Sequence, residues 1–334
     1  MGKMFIGYVV KKDGDEFKGS VERLPLSHLP QGDVLIRVSY SSLNYKDALS
    51  AKGNPGVTRK FPHIPGIDAA GVVEESSVPD FSPGDEVVVT GYDLGMNTDG
   101  GFAGYVRVPA AWVVPLPKGL TLRESMILGT AGFTAALSVH HLIRGGVTPD
   151  RGPVLVTGAT GGVGSIAVSI LAKLGYSVTA SSGKRDQYDL LRSLGAKDVI
   201  PRETLDTDSP KAFLKPEWAG AVDTVGGKTL EYILKSTMYM GSVSSCGLVG
   251  GSSFCTTVFP FIIRGISLYG VDSVECPMDL RLEIWNRLSG EWKPSTLDLL
   301  ASEIGLDDLS SAIEDILKGK IKGRTLVVPR SNAV

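Results

Sequence analysis

The feature that most constrains this chain is a cluster of glycines directly after a short β-branched strand. Residues 154–164 read VLVTGATGGVG, and an apolar helical pattern follows. In such a unit, glycines permit a tight turn and a close backbone approach to pyrophosphate, while the helix N-terminus offers N–H donors. The segment predicts a dinucleotide site, against the alternative of a glycine-rich turn without a ligand. The residues expected there are Thr160, Gly161, Gly162, Val163 and Gly164.

From residue 153 onward, strands alternate with helices. Alternation at this spacing predicts an α/β unit, namely a Rossmann-type, doubly wound parallel sheet. The predicted strands are 154–157, 177–181, 198–200, 220–224, 242–246 and 266–271, and the predicted helices are 162–174, 185–194 and 228–235.

The end of the second of these strands bears on the choice of nucleotide. Residues 178–185 read VTASSGKR, so no acidic residue stands where an NAD enzyme would bind the ribose 2′-hydroxyl. Ser181 and Ser182 can instead donate to a 2′-phosphate, and Lys184 or Arg185 can balance its charge. We therefore predict NADPH as the cofactor. The alternative is that both basic residues only solvate a helix start.

The first 120 residues read as short strands separated by Pro-Gly and Gly-Asp turns, which predicts a β-rich, barrel-like unit. A helix follows, with Thr121 and Glu124 spaced as a capping box. The C-terminal part adds helical patterns at 280–288 and 306–317 and a strand at 325–328, which we expect to return to the first domain. A length of 334 residues suits two domains. The expected limits are 1–124 with 273–334 for the β-rich domain, and 125–272 for the nucleotide-binding domain.

Composition excludes several classes of function. Thirty-four Lys and Arg balance 36 Asp and Glu, which does not favour nucleic-acid or membrane binding. The three cysteines and four histidines lack the spacing of a disulfide scaffold or a metal site. The N-terminus lacks the long apolar segment of a signal peptide, so we expect a cytoplasmic protein.

Six segments together resemble the medium-chain dehydrogenase/reductase superfamily over essentially the whole chain. The likeness is to its zinc-free, quinone-oxidoreductase-like branch, and within it to the acrylyl-CoA reductase subfamily. It implies a GroES-like catalytic domain beside the Rossmann domain, and a homodimer paired through strand 266–271. The segments are 42–48 (SLNYKDA), 65–71 (PGIDAAG), 129–135 (GTAGFTA), 154–164, 270–274 (GVDSV) and 323–326 (GRTL).

The resemblance also identifies positions where zinc relatives hold their catalytic metal. Here they read Asn44, Ile67 and Thr130, and none of these is a zinc ligand of the usual kind. No metal is therefore expected. The remaining chemistry is hydride transfer from NADPH to an electron-poor carbon.

Reduction of an unsaturated thioester moves negative charge onto its carbonyl oxygen, and a donor must stabilise that oxygen and supply a proton. Tyr45 is the first candidate, because a phenol is an effective donor beside the vacated metal position. It is also expected to contact the cofactor. Asn44 could donate from its amide, or could simply form a turn. Asp68 could orient Tyr45 or Lys46, or could cap backbone N–H groups.

Two further segments are expected near the nicotinamide. The loop 247–251 resembles the one that approaches this ring, with Gly247 and Leu248 as contacts, and Asp272 and Ser273 follow the last Rossmann strand. Ordinary strand-end turns are the alternative for both. Related enoyl thioester reductases often carry a proton-donating Tyr soon after the position of Gly53. Here Asn54 and Pro55 follow instead.

Three functions fit these observations. The first is reduction of acrylyl-CoA or a related short enoyl-CoA, the second is quinone reduction, and the third is a non-enzymatic, structural NADPH-binding role. An apolar cleft over nicotinamide accepts either of the first two substrates. Lys46, Arg59 and Lys60 could bind CoA phosphates, although basic residues of this kind also occur in solvated loops.

Overall fold

The computed structural model describes residues 3–206 and 209–329. The chain folds into two compact units. The first unit comprises Met1–Thr130, Val274–Ser289 and Leu297–Val334, and the second comprises Ala131–Ser273 and Gly290–Thr296. The domain limits expected from the sequence stay a prediction.

The described elements run in the following order. The strands are β1 (Met4–Asp13), β2 (Glu16–Pro25), β3 (Val34–Leu43), β4 (Asp68–Ser76), β5 (Glu86–Thr90), β6 (Tyr105–Val108), β7 (Val113–Pro115), β8 (Val154–Val156), β9 (Val178–Ser182), β10 (Asp198–Pro201), β11 (Trp218–Asp223), β12 (Thr237–Ser245), β13 (Ser267–Gly270), β14 (Ala301–Gly305) and β15 (Arg324–Val328). The helices are α1 (Tyr45–Ala51), α2 (Leu122–Arg144), α3 (Gly162–Lys173), α4 (Tyr188–Ser193), α5 (Gly227–Ser236), α6 (Phe259–Arg264), α7 (Met278–Ser289), α8 (Leu297–Leu300) and α9 (Leu309–Leu317).

The first unit is β-rich, as predicted. Seven strands form a sheet in the order β14-β15-β3-β4-β5-β7, with β6 also paired to β3, and β1 and β2 form a separate hairpin. The predicted return of the last strand is confirmed, because β15 pairs antiparallel with β3. Strand β2 has only exposed or partly buried side chains, so it lacks the apolar alternation of a core strand.

The second unit is the predicted doubly wound parallel sheet. Its six strands follow the order β10-β9-β8-β11-β12-β13, and every pairing in it is parallel. Strand β8 is buried along its whole length, which explains its continuous β-branched and aliphatic sequence. The helix predicted at 185–194 is instead a 3₁₀ turn, Arg185–Gln187, followed by the short α4.

Helix α2 begins with the predicted capping box. The backbone N–H of Glu124 donates to Thr121 Oγ1 at 3.1 Å, and the N–H of Thr121 donates to Glu124 Oε2 at 2.9 Å. Gly129 interrupts the helix with φ 50° and ψ −155°. A Cβ atom there would lie 2.6 Å from Asp68 Oδ2, so the chain bends where only glycine fits.

Helix α2 is also long and apolar enough to cross a membrane by length and composition alone. Within its most apolar window of 18 residues, 83% of the residues are buried inside the protein. Core helices of soluble proteins show the same property, so the segment is weak support for a membrane span.

Candidate active site and nucleotide-binding loop

The glycine turn after β8 requires its glycines for two different reasons. Gly158 has a positive φ of 56°, and a Cβ atom on it would lie 2.3 Å from Thr224 Oγ1. A Cβ atom on Gly164, in the first turn of α3, would lie 2.4 Å from the carbonyl oxygen of Gly158. The turn is therefore tight, and the N-terminus of a twelve-residue helix follows it directly. This is the cradle that a pyrophosphate needs.

A buried carboxylate fixes this turn to the adjacent strand end. Asp223 accepts hydrogen bonds from Thr157 Oγ1 at 2.8 Å and from the backbone N–H groups of Val225 and Gly226. Burial raises the pKa of Asp223, and these donors oppose that rise. The carboxylate thus ties the carboxyl ends of β8 and β11 together, where doubly wound folds bind their ligands.

The predicted 2′-phosphate residues lie at the end of the neighbouring strand. Ser181 and Ser182 are buried, and Ser182 Oγ accepts the backbone N–H of Lys184 at 3.0 Å. Its oxygen also lies 3.2 Å from the hydroxyl of Thr160, which joins the glycine turn to this loop. Arg185 follows at the start of the 3₁₀ turn.

One basic residue here was missed from the sequence. Arg202 packs over Gly183, since a Cβ atom on this glycine would lie 2.9 Å from Arg202 Cδ and 3.0 Å from Nε. It directly follows β10, whose last residue Pro201 pairs with Ser182. The available signal in the sequence was a basic residue directly after the predicted strand 198–200. Only the order of strands in the sheet shows that this strand, β10, lies beside β9.

The loop after β12 packs against the loop after β11. Gly226 and Gly251 form a β-bridge, and the N–H of Gly250 donates to the carbonyl of Val225 at 2.8 Å. A Cβ atom on Gly247 would lie 2.0 Å from the carbonyl oxygen of Thr224, whereas the Leu248 side chain is 65% exposed. Asp272 and Ser273 follow β13. All these predicted residues therefore stand at the carboxyl ends of neighbouring strands.

In the first unit, the predicted residues Asn44 and Asp68 belong to one buried polar network. The Asp68 side chain is fully buried and accepts hydrogen bonds from Ser42 Oγ at 2.5 Å, Asn44 Nδ2 at 2.8 Å and Thr130 Oγ1 at 2.6 Å. The backbone N–H of Thr130 donates to it as well. No hydrogen bond joins Asp68 to Tyr45 or Lys46 in the described part of the chain.

The cation of this network is Arg324, which sequence analysis had noted only within a motif. Its guanidinium is almost fully buried, and Nη2 lies 3.7 Å from Asp68 Oδ2. It donates from Nη2 to Ser42 Oγ at 2.7 Å, from Nη1 to Asn44 Oδ1 at 3.0 Å and from Nε to the carbonyl of Ile127 at 2.9 Å. Burial lowers the pKa of Arg324, and the carboxylates of Asp68 and Asp47 raise it.

Asp47 fixes the start of α1. Its carboxylate accepts the N–H of Asn44 at 2.7 Å and the N–H of Ile67 at 2.8 Å, so it holds the helix against the chain that enters β4. Burial, with a further contribution from the charge of Asp68, raises the pKa of Asp47 to about 7.

Tyr45 is the first residue of α1 and differs from its neighbours in being 43% exposed. Its hydroxyl has no hydrogen-bond partner among residues 3–206 and 209–329, so the phenol can donate to a ligand. The amide of Asn44 is already engaged, because Nδ2 donates to Asp68 and to the carbonyl of Ser42. The geometry therefore leaves Tyr45 the freer donor of the two.

The three positions that hold zinc in metal relatives do not fit a metal here. The Ile67 side chain is apolar, the Thr130 hydroxyl donates to Asp68, and Asn44 is held between Asp68 and Arg324. Within the residues that the structure describes, no cluster of three or more His, Cys, Asp or Glu side chains could hold a metal ion.

The fold and the glycine cradle define a nucleotide-dependent oxidoreductase, and comparison with known proteins gives its family. The "Alcohol dehydrogenase GroES-like domain" matches residues 30–118 and "Zinc-binding dehydrogenase" matches residues 162–289. The chain belongs to the medium-chain dehydrogenase/reductase superfamily, in its zinc-free, quinone-oxidoreductase-like branch, as the motifs indicated.

Two curated relatives extend over nearly the full chain. The "Putative quinone oxidoreductase YhfP" of Bacillus subtilis is 49% identical over 98% of this chain and 99% of its own length. The "Acrylyl-CoA reductase AcuI" of Ruegeria pomeroyi is 45% identical over 97% of this chain and 99% of its own length.

Solved structures show the same likeness. The YhdH oxidoreductase of Salmonella enterica in complex with NADP has a TM-score of 0.94 and 46% identity, with 97% of this chain and 99% of that chain covered. YhfP of Bacillus subtilis with NAD bound has a TM-score of 0.96 and 48% identity, with 98% and 100% covered.

The raised pKa of Asp47 predicts a pH-dependent stability. Because its folded pKa of about 7 exceeds the ordinary 3.8, the folded chain holds this proton more tightly than the unfolded chain. The resulting stabilisation is full below the ordinary value and is lost as pH rises towards the folded one. Relative to Asp47→Asn, wild type should lose up to about 1.4 kcal/mol of unfolding free energy per pH unit in this window. Urea denaturation of both proteins across the window measures this, and parallel curves would contradict it.

The purified protein is expected to contain no stoichiometric zinc and to keep full activity in a chelator. The reason is that Asn44, Ile67 and Thr130 provide neither thiolate nor imidazole. Elemental analysis by mass spectrometry checks this, and one zinc ion per chain would show the expectation to be wrong.

Proposed function

We propose that this protein is an NADPH-dependent, zinc-independent reductase of an activated carbon–carbon double bond, with acrylyl-CoA or a related short enoyl-CoA as substrate. The observation that carries this proposal is the exposed phenol of Tyr45, which follows Asn44 of the buried network around Asp68 and Arg324. The acrylyl-CoA reductase named above, at 45% identity, supports the choice of substrate.

NADPH is the cofactor in this proposal. The glycine cradle would hold its pyrophosphate, and Ser182, Lys184 and Arg185, joined by Arg202, would hold the 2′-phosphate. The relative solved with NADP supports this, although another relative was solved with NAD. When bound, the cofactor supplies a hydride. The other predicted contacts, among them Leu248, Asp272, Ser273 and Tyr45 itself, remain part of the proposal.

The residues of the chain must then stabilise the negative charge of the intermediate and supply a proton. Addition of hydride to the β-carbon of an enoyl thioester leaves an enolate, whose α-carbon needs a proton. In this proposal Tyr45 donates that proton, because its hydroxyl is exposed and unpartnered in the described structure. Asp68 and Asn44 act indirectly, since the network that they form with Arg324 fixes the first turn of α1.

Quinone reduction is the second candidate, and one observation favours it. The relative YhfP, at 49% identity, is named for quinone reduction. The lack of a metal ligand suits a quinone equally well, because its reduction also needs only hydride and a donor.

Initial rates of NADPH oxidation with acrylyl-CoA and with a benzoquinone, measured side by side, test the proposal. We expect the larger kcat/KM with acrylyl-CoA. A larger value with the benzoquinone would favour the second candidate, and turnover of neither, with NADPH still bound, would favour a non-enzymatic role.

We also propose that two copies of the chain associate through the edge of the parallel sheet. Among the described strands, β13 has a neighbour on one side only, and α6, which precedes it and packs on β12, exposes a group of large apolar side chains. Exposed apolar surface next to an open strand edge is typical of an interface. The group consists of Val258, Phe259, Ile262 and Ile263, which are 45 to 70% exposed. The expected cytoplasmic location remains a prediction.

Replacement of Ile262 by Glu tests this association. Light scattering of wild type should give about twice the chain mass of 35.3 kDa, and the variant should shift towards one chain mass. Leu299→Glu, at an exposed position of α8 in the first unit, is the matched control and should leave the mass unchanged. A wild-type mass of one chain would contradict the proposal.

Replacing both Lys184 and Arg185 by Ala should raise the KM for NADPH and leave that for NADH nearly unchanged. A charged hydrogen bond to phosphate contributes roughly 1.5 to 3 kcal/mol, or about one to two decades in affinity. Steady-state kinetics with both cofactors measure the effect, with Arg192→Ala on α4 as a control. If activity fell equally with both cofactors, the two residues would instead contribute to the stability of the fold.

Replacing Tyr45 by Phe should lower turnover of an enoyl thioester by about two to four decades, because the general acid is lost. Binding of NADPH, measured by fluorescence titration, should stay normal, and quinone reduction should fall less. If the variant keeps more than about half of wild-type turnover, the proton comes from solvent or another residue.

A further inference from the structure

Tyr92 has a backbone conformation that tyrosine rarely adopts. It lies two residues beyond the end of β5, and its φ of 52° is in the left-handed region. Among described residues other than glycine, only Met240 of the second unit shares a positive φ. Strained conformations of bulky residues persist only when the surroundings enforce them, and they are concentrated at functional sites.

Three contacts enforce this conformation. The Tyr92 ring stacks on Trp112, with centroids 5.5 Å apart and planes within 4°, and the guanidinium carbon of Arg281 lies 4.5 Å from the ring centroid. The N–H of Tyr92 donates to the carbonyl of Val274 at 3.1 Å. Arg281 is itself fully buried and donates to the carbonyls of Thr90 and Val274. The ring is thus held rigidly from several elements of the first unit.

The sheet places the backbone of Tyr92 at the end of β5 that adjoins the candidate site. In the pairing of β4 with β5, Thr90 stands opposite Asp68, and the N–H of Gly91 donates to the carbonyl of Ile67 at 3.1 Å. Tyr92 is the next residue. It therefore leaves the sheet beside the two residues, Ile67 and Asp68, that occupy the former metal position and its supporting network.

The hydroxyl of this fixed ring is unpartnered in the described part of the chain, and the residue is partly exposed. Several other phenols of the protein donate within it. Tyr176, for example, donates to the carbonyl of Val147 at 2.8 Å. The Tyr92 ring is thus held in a strained conformation, and its hydroxyl makes no hydrogen bond to described residues. These properties are typical of a side chain that is positioned for a ligand.

We propose that Tyr92 is a second catalytic phenol, which donates a hydrogen bond to the thioester carbonyl oxygen of the substrate. This inference rests on the proposed enoyl-CoA reduction. As hydride adds to the β-carbon, the electron pair of the carbon–carbon double bond moves to form an enolate, and its charge collects on that oxygen. Tyr92 stabilises this charge without giving up its proton. Tyr45 then protonates the α-carbon and recovers its own proton from water.

Replacement of Tyr92 by Phe is the test, because it keeps the ring and its stacking and removes only the hydroxyl. We expect kcat with acrylyl-CoA to fall about a hundredfold, as when one oxyanion donor is lost. The melting temperature and the Kd for NADPH should stay at wild-type values. The matched control is Tyr40→Phe, a partly buried phenol on β3 of the same sheet, which should change none of these quantities.

The outcomes separate this inference from the proposed function. If wild type reduces acrylyl-CoA and Tyr92→Phe keeps its kcat within about twofold, far less than a lost oxyanion donor implies, the inference is wrong and the proposed function stands. If the variant loses melting temperature and activity together, Tyr92 is structural, and the inference is likewise overturned. If wild type itself reduces no enoyl thioester, the proposed function is wrong, and the inference that rests on it is wrong as well.

Discussion

The first unit depends on one buried charge interaction, between the carboxylate of Asp68 and the guanidinium of Arg324. Around this pair, hydrogen bonds join Ser42 of β3, Asn44 before α1 and Thr130 of α2. Removing one partner of a buried pair typically costs about 3 to 5 kcal/mol, because the other charge is left uncompensated. The geometry of the whole site, including the direction in which α1 presents Tyr45, therefore follows from the satisfaction of this pair.

Much of the fold could be predicted because its signals are local. The parallel sheet of the second unit follows from continuous apolar strands and the glycine turn, and the start of α2 follows from its capping box. What could not be predicted depends on distant contacts. The break at Gly129 exists because Asp68 and Ser42 approach the helix there. Among the described strands, β2 pairs only with β1 and buries no regular face, so its sequence lacks periodicity.

The site shows the same division. Sequence motifs placed Asn44 and Asp68 in one candidate site without predicting the hydrogen bond between them, and they gave Arg324 no role. Its partner Asn44 lies 280 residues earlier in the chain, and no local pattern connects the two. Arg202 and Tyr92 were missed for a related reason. The proposed role of Arg202 follows only from the order of strands in the sheet. That of Tyr92 follows only from its backbone torsion and its two ring contacts.

The pairing of β15 with β3 also bears on how the protein is made. Synthesis proceeds from the N-terminus at about 5 to 20 residues per second, so β3, β4 and Asp68 leave the ribosome long before Arg324 exists. Until then the sheet lacks β15, and the Asp68 carboxylate lacks its counter-charge. The segment of the second unit between them, Ala131–Ser273, is complete earlier. The sheet of the first unit therefore cannot be completed until after the residues of the second unit have been made.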